Sequence, residues 1–152
     1  MTSTTQIDNS VTHANTGTRS LRIGLAALMA FVGLGGVFGG IQMLVDPYRP
    51  MGMTPHMISR TPFDTYTLPG VLLLVLLGLV PLALAVALLL RTPFAAQGAA
   101  AFGLGLLAWI ATQWALTDAR LWLQPVLFIV GLTVVVVAAL LWRREDRTHP
   151  RR

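Results

Sequence analysis

The sequence contains no cysteine and no lysine, and only 11% of its 152 residues are charged. Without cysteine there are no disulfide staples, no thiol redox chemistry, no thiolate zinc sites and no cysteine-held iron–sulfur clusters. Without lysine, all eleven basic residues are arginine, so the net charge of +5 is carried by a group that stays protonated at any physiological pH. What remains is apolar: 55% of the residues are hydrophobic and the mean hydropathy is +0.69. That balance is too apolar for a soluble domain of this size.

The apolar residues gather into runs of about twenty, the length at which a helix crosses a roughly 30 Å hydrocarbon core. Four such runs are predicted, over residues 23–45, 69–90, 98–116 and 121–142, giving an all-α, four-span bundle. The stretch before them, residues 1–20, is rich in Thr and Asn with little to bury, and is expected to remain a disordered tail. The first run follows Arg19 and Arg22 as a signal peptide follows its basic region. It is too long for one, and no small-residue cleavage motif ends it. Asp46-Pro47 stops it, because the proline cannot continue a helix. Residues 46–68 form the longest loop, broken by Pro47, Pro50, Pro55 and Pro62. Pro69 suits a first helical position and Pro81 predicts a kink within the second span. Arg91-Thr92-Pro93-Phe94 separates the second and third spans, and a short turn through Asp118 makes the third and fourth an antiparallel hairpin. Residues 143–152 form a basic tail.

Arginine placement predicts the orientation, since positive segments are retained in the cytoplasm. Arg19, Arg22, Arg91, Arg143, Arg144, Arg147, Arg151 and Arg152 lie on one side of the spans, and Arg49, Arg60 and Arg120 on the other. Three carboxylates neutralise the smaller group, whereas eight arginines against three carboxylates leave +5 on the larger. Both termini are therefore expected inside. Tyr48, Tyr66, Trp114 and Trp122 fall at the expected outer interface, and Phe94 and Trp142 at the inner one. Arg22, Arg91, Arg143, Arg144, Trp122 and Trp142 are the expected interface anchors. Trp109 lies deeper and is expected to pack between helices.

No span contains an ionisable residue; Gln42, Thr112, Gln113 and Thr133 supply the polarity. Intramembrane charge is costly and marks ion and proton pathways. Its absence from the spans tells against a proton relay, a multidrug antiporter or a charged selectivity site. In the first span, Gly35/Gly39 and Gly36/Gly40 are four residues apart and share a face on which another backbone can approach closely. The neighbour is either another helix of this chain, through Ala101, Gly105 or Ala108 of the third span, or a second polypeptide. In the outer loop, Met51, Met53, His56 and Met57 bring soft thioether and imidazole donors together as a candidate Cu(I) site. Their bland alternative is an apolar cap on the helix ends, where Met fills irregular gaps. The repeated Arg-Thr-Pro-Phe at 60–63 and 91–94 suggests an inverted repeat. The sequences that follow diverge at once, so it reads as shared turn chemistry. The basic tail is a topology anchor first, with attraction to anionic lipid or an acidic partner as the alternative.

Asp46-Pro47, Met51-Gly52-Met53-Thr54-Pro55, Thr61-Pro62-Phe63, Tyr66 and Leu68-Pro69-Gly70, after a Gly-rich first span, resemble a group of small four-helix bacterial membrane proteins, often actinobacterial. The resemblance covers roughly residues 20–142, with Tyr48-Arg49-Pro50 departing from that group's small turn. It implies the architecture and no activity. In size and topology the chain is also similar to DoxX-type membrane proteins. The expected function is that of a non-enzymatic accessory or scaffold subunit of the cell membrane, without a cofactor. Its expected partners are the lipid bilayer and a membrane protein or second copy, not nucleic acid. The alternative is a small transporter or channel for a metal ion or an apolar solute.

Overall fold

The computed structural model describes residues 4–52, 64–116 and 123–148, with side chains described for 17–50, 52, 64–114 and 124–146. Helix α1 runs from Thr4 to Val45. A 3₁₀ turn follows at Pro50–Gly52. Helix α2 (Thr67–Leu72) passes through π-helical turns (Leu73–Leu79) into α3 (Val80–Leu89), so the three make one rod. Helix α4 spans Ala95–Leu116 and α5 spans Leu123–Thr148. No strand occurs among the described residues. Four segments are long and apolar enough to cross a membrane: Gly17–Val45, Thr67–Leu89, Ala95–Trp114 and Gln124–Asp146. The all-α, four-span reading is thus what the structure has.

One expected boundary differs. Helix α1 begins at Thr4, inside the stretch read as a disordered tail. Thr, Asn and Gly are weak helix formers, but a helix already nucleated by its apolar span adds residues at little further cost. At about 1.5 Å per residue, α1 reaches well past a roughly 30 Å hydrocarbon core. Helix α5 also continues past its apolar run, to Thr148 at the same end of the bundle.

The helices form a ring in which the backbones of elements adjacent in the chain approach closely, closed by α1 against α5; among the described residues no diagonal pair of backbones comes as close. Two close hairpins result, α1 with the α2–α3 rod and α4 with α5, and they share a core at one end. There Leu25 and Met29 meet Leu88, Val134 and Leu141, with Ala26, Ala85, Ala96, Ala99 and Ala138 filling the gaps. Lipid tails are as apolar as leucine, so this core is held by contact and close packing more than by exclusion of water.

The glycine face of α1 packs within the chain, but against the α2–α3 rod and not the third span. A Cβ at Gly36 would lie 2.2 Å from the Leu77 carbonyl oxygen, and one at Gly40 would lie 2.7 Å from Leu74 Cβ and 2.9 Å from the Gly70 oxygen. Gly39 faces the Leu73 side chain, while Gly35 has nothing within 4 Å. The expected partners on α4 turn away: Ala101 and Ala108 are exposed and Gly105 has open space around it. The glycines of α4 that do permit close approach are Gly98, where a Cβ would lie 2.8 Å from Leu84 of α3, and Gly103, where one would meet Val135 and Val134 of α5 at 2.8 and 3.0 Å.

At Pro81, where the sequence predicts a kink, the structure has π-helical turns (Leu73–Leu79) immediately before the proline. Pro81 has no N–H to offer the Leu77 carbonyl, and just before it Val80 N–H bonds Val75 O, five residues back. The same Leu77 oxygen is the atom against which Gly36 sits, so the ladder is altered where the two backbones come closest.

The break between α3 and α4 is a Schellman cap built without glycine. Arg91 is left-handed (φ 56°), its N–H bonds Leu88 O at 3.3 Å, and Thr92 N–H bonds Ala87 O at 3.0 Å. Thr92 Oγ1 donates to the same Ala87 oxygen at 3.1 Å. Phe94, also left-handed (φ 68°), then starts α4, with its carbonyl accepting from Gly98 N–H.

Candidate functional site

The candidate outer-loop site is only partly placed. Met53, His56, Met57 and the first Arg-Thr-Pro-Phe lie outside the described residues, as do Arg120 and Trp122. Met51 belongs to the 3₁₀ turn, and its side chain is also outside them. The base of the loop is ordered by polar contacts. Asp46 Oδ1 accepts from Tyr48 N–H at 3.2 Å and Arg49 N–H at 2.9 Å, an Asx turn that reverses the chain after α1. Tyr66 N–H then bonds Pro47 O at 2.9 Å, closing the loop on itself. Tyr66 and Pro50 are buried beneath it, and burial pushes the Tyr66 phenol above its ordinary value of 10.0.

Hydroxyls within the spans are satisfied locally. Thr112 donates to Ala108 O and Thr133 to Ile129 O, each four residues back. Neither offers a hydrogen to a passing solute, and Gln42 and Gln113 are half-buried. Trp109, expected between helices, is about two-thirds covered, with 37% of its surface exposed.

Two glutamines not singled out from the sequence fasten the α4–α5 hairpin at both ends. Near the end of α4, Trp114 Nε1 donates to Gln124 Oε1 on α5 at 2.9 Å, and Gln124 is 5% exposed. The Trp114 ring stacks on Phe128, with centroids 5.6 Å apart. At the opposite end the roles are exchanged. With its amide oriented to satisfy both neighbours, Gln97 on α4 accepts from Trp142 Nε1 on α5 at 3.3 Å and donates to Phe94 O at 3.2 Å. The legible signal was a Gln and a Trp one membrane thickness apart on each helix: 97 with 114, and 124 with 142.

At the arginine-rich end, α1 and α5 are joined by charge. Arg22 Nη2 donates to Glu145 Oε1, with both side chains largely covered. The Arg144 guanidinium lies beside Gly17, where an added Cβ would stand 3.0 Å from Nη1. Arg22 and Arg144, expected as headgroup anchors, therefore also lie at the contact between two helices. Arg91 and Arg143 are exposed at this end.

Below these groups, a cleft of about 300 Å³ opens sideways between α1 and α5. Ser20, Leu21, Gly24 and Leu28 line one wall, and Thr133 and Val137 the other. Gly24 has nothing within 4 Å of its would-be Cβ, so the missing side chain leaves part of this space. Among the described residues no cluster of three His, Asp or Glu side chains is brought together.

Comparisons with protein-family models, with curated proteins and with solved structures returned no match to this chain.

Proposed function

We propose that this multi-pass membrane protein is a non-enzymatic accessory or scaffold subunit of the cytoplasmic membrane, with both termini in the cytoplasm. The observation that carries the reading is the outward face of α1. Phe31 is 75% exposed and Phe38 61%, and they flank Gly35, which stands in open space. Two large rings around a missing side chain form a ridge-and-notch surface into which another helix fits closely. The transporter alternative has less support. The core at the arginine-rich end is filled by Leu25, Met29, Leu88, Val134 and Leu141, and the apolar runs 23–45, 69–90, 98–116 and 121–142 hold no ionisable group to bind or relay an ion; the charged residues of the spans lie at their ends.

The test is affinity purification of the tagged full chain from its native membrane in mild detergent. A second polypeptide should be recovered in stoichiometric amount, and the double substitution Phe31→Ala, Phe38→Ala should lose it. Recovery of the chain alone, or of the same partner with both rings removed, would overturn the assignment. Recovery of a homodimer sensitive to the same pair would identify the partner as a second copy.

A further inference from the structure

The cleft between α1 and α5 is an open groove that runs from Ser20 to Leu28 on α1 and from Thr133 to Val137 on α5, and Arg144 lies beyond its Ser20 end, beside Gly17. On α5, Thr133, Val137 and Arg144 fall four and seven residues apart, so they share one helical face. Gly17, Leu21, Gly24 and Leu28 recur at the same intervals on α1. The closeness of Arg144 to Gly17 shows that these two faces meet. From Arg144 to Thr133 is eleven residues, roughly 16 Å of helix. One leaflet of hydrocarbon is about 15 Å deep. The walls below Arg144 are apolar apart from Ser20 at the top and Thr133 at the foot, whose hydroxyl is turned back to Ile129 O.

We propose that this cleft holds one acyl chain of an anionic phospholipid, with the lipid phosphate against the Arg144 guanidinium. Depth, opening and charge agree on that occupant. The chain lies where Gly24 leaves room, and the phosphate meets a group with five N–H donors, which holds other partners and an anion together. Two carboxylates have described side chains at this end of the bundle, Glu145 and Asp146. Glu145 is paired with Arg22, and Asp146, two residues beyond Arg144, points to the other side of α5. A basic group above an interhelical groove is the arrangement by which membrane proteins select anionic headgroups. The inference depends on membrane embedding and not on the partner reading, so each fails separately.

The test reconstitutes the full chain in nanodiscs of equimolar dioleoyl phosphatidylglycerol and dioleoyl phosphatidylcholine. Lipids retained after extraction in mild detergent are then counted by native mass spectrometry. Phosphatidylglycerol should exceed phosphatidylcholine by about fivefold, the preference one arginine gives beside anionic lipid. Arg144→Gln should bring the two to parity, and Gly24→Phe should lower retention of both by filling the cleft. Where Gly24→Phe does not yield helical protein, Thr133→Phe fills the cleft from the other wall and carries the same expectation. Arg91→Gln, on the opposite side of the bundle at the same end, should change nothing. Parity in the unsubstituted chain overturns the proposal, as does an effect of Arg91→Gln equal to that of Arg144→Gln, which would mean diffuse surface charge. Undiminished retention in the cleft-filling variant, or a lipid-free dimer, overturns it as well.

Discussion

Gly35 and Gly36 are neighbours in sequence with opposite surroundings. A methyl group at Gly36 would sit 2.2 Å from the Leu77 carbonyl oxygen, whereas one at Gly35 would meet nothing within 4 Å. Backbone cannot swing aside as a side chain does, so Gly36→Ala has to push the α2–α3 rod away from α1. A loss of about 1–3 kcal/mol is expected, the usual range for overpacking. Gly35→Ala should instead raise stability by about 0.5–1 kcal/mol, because alanine gives up less chain entropy on entering a helix. Unfolding by sodium dodecyl sulfate in mixed micelles, followed by far-ultraviolet circular dichroism, measures both. Equal shifts of the same sign would show that the approach to Leu77 does not constrain Gly36. Arg91 presents the converse case, a left-handed position occupied by a residue with a Cβ. Such a conformation costs of order 1 kcal/mol, and it puts a guanidinium at the membrane surface where glycine would offer none.

At the scale of elements, the α4–α5 hairpin is fastened by indole-to-amide bonds at both ends, Trp114 with Gln124 and Trp142 with Gln97. The unfolded chain in a bilayer also finds partners for polar groups, so each bond is expected to contribute only about 0.6–1.7 kcal/mol. A double-mutant cycle on Trp114→Phe and Gln124→Leu, by the same unfolding measurement, should give a coupling in that range. A coupling near zero would mean that the pair follows from the packing and does not hold it. The positions of the spans were legible because lipid imposes length and hydropathy on every crossing; the second, expected at 69–90, lies at Thr67–Leu89. The start of α1 at Thr4 was not, because there the helix continues against local propensity from a span that has already nucleated it. The glycine face was legible as a close approach but not its partner, since a missing side chain marks room without naming what fills it. The α1–α5 cleft depends on the register of helices from opposite ends of the chain, and no local pattern announces it.

At the scale of the whole molecule, the start of α1, the end of α5 and the Arg91 turn lie at one end of the bundle, and Asp46 and Tyr66 at the other, so one experiment orients everything. The arginine count argues that the first end is cytoplasmic: eight of eleven arginines belong to it, and each resists transfer across the bilayer. The lack of cysteine makes the chain a ready background for site-specific labelling. Tyr48→Cys and Thr92→Cys each introduce one thiol at an exposed, uncharged position, at opposite ends, without altering the charge bias that sets orientation. In intact cells a membrane-impermeant maleimide should label Tyr48→Cys and leave Thr92→Cys unmodified until the membrane is opened. The reverse pattern would place both termini outside. It would also move the lipid cleft to the outer leaflet, where a preference for anionic headgroups would have to be explained by a different membrane composition. Labelling of both thiols in intact cells would mean a mixed population, and then the eight-to-three bias would not be sufficient to orient this bundle.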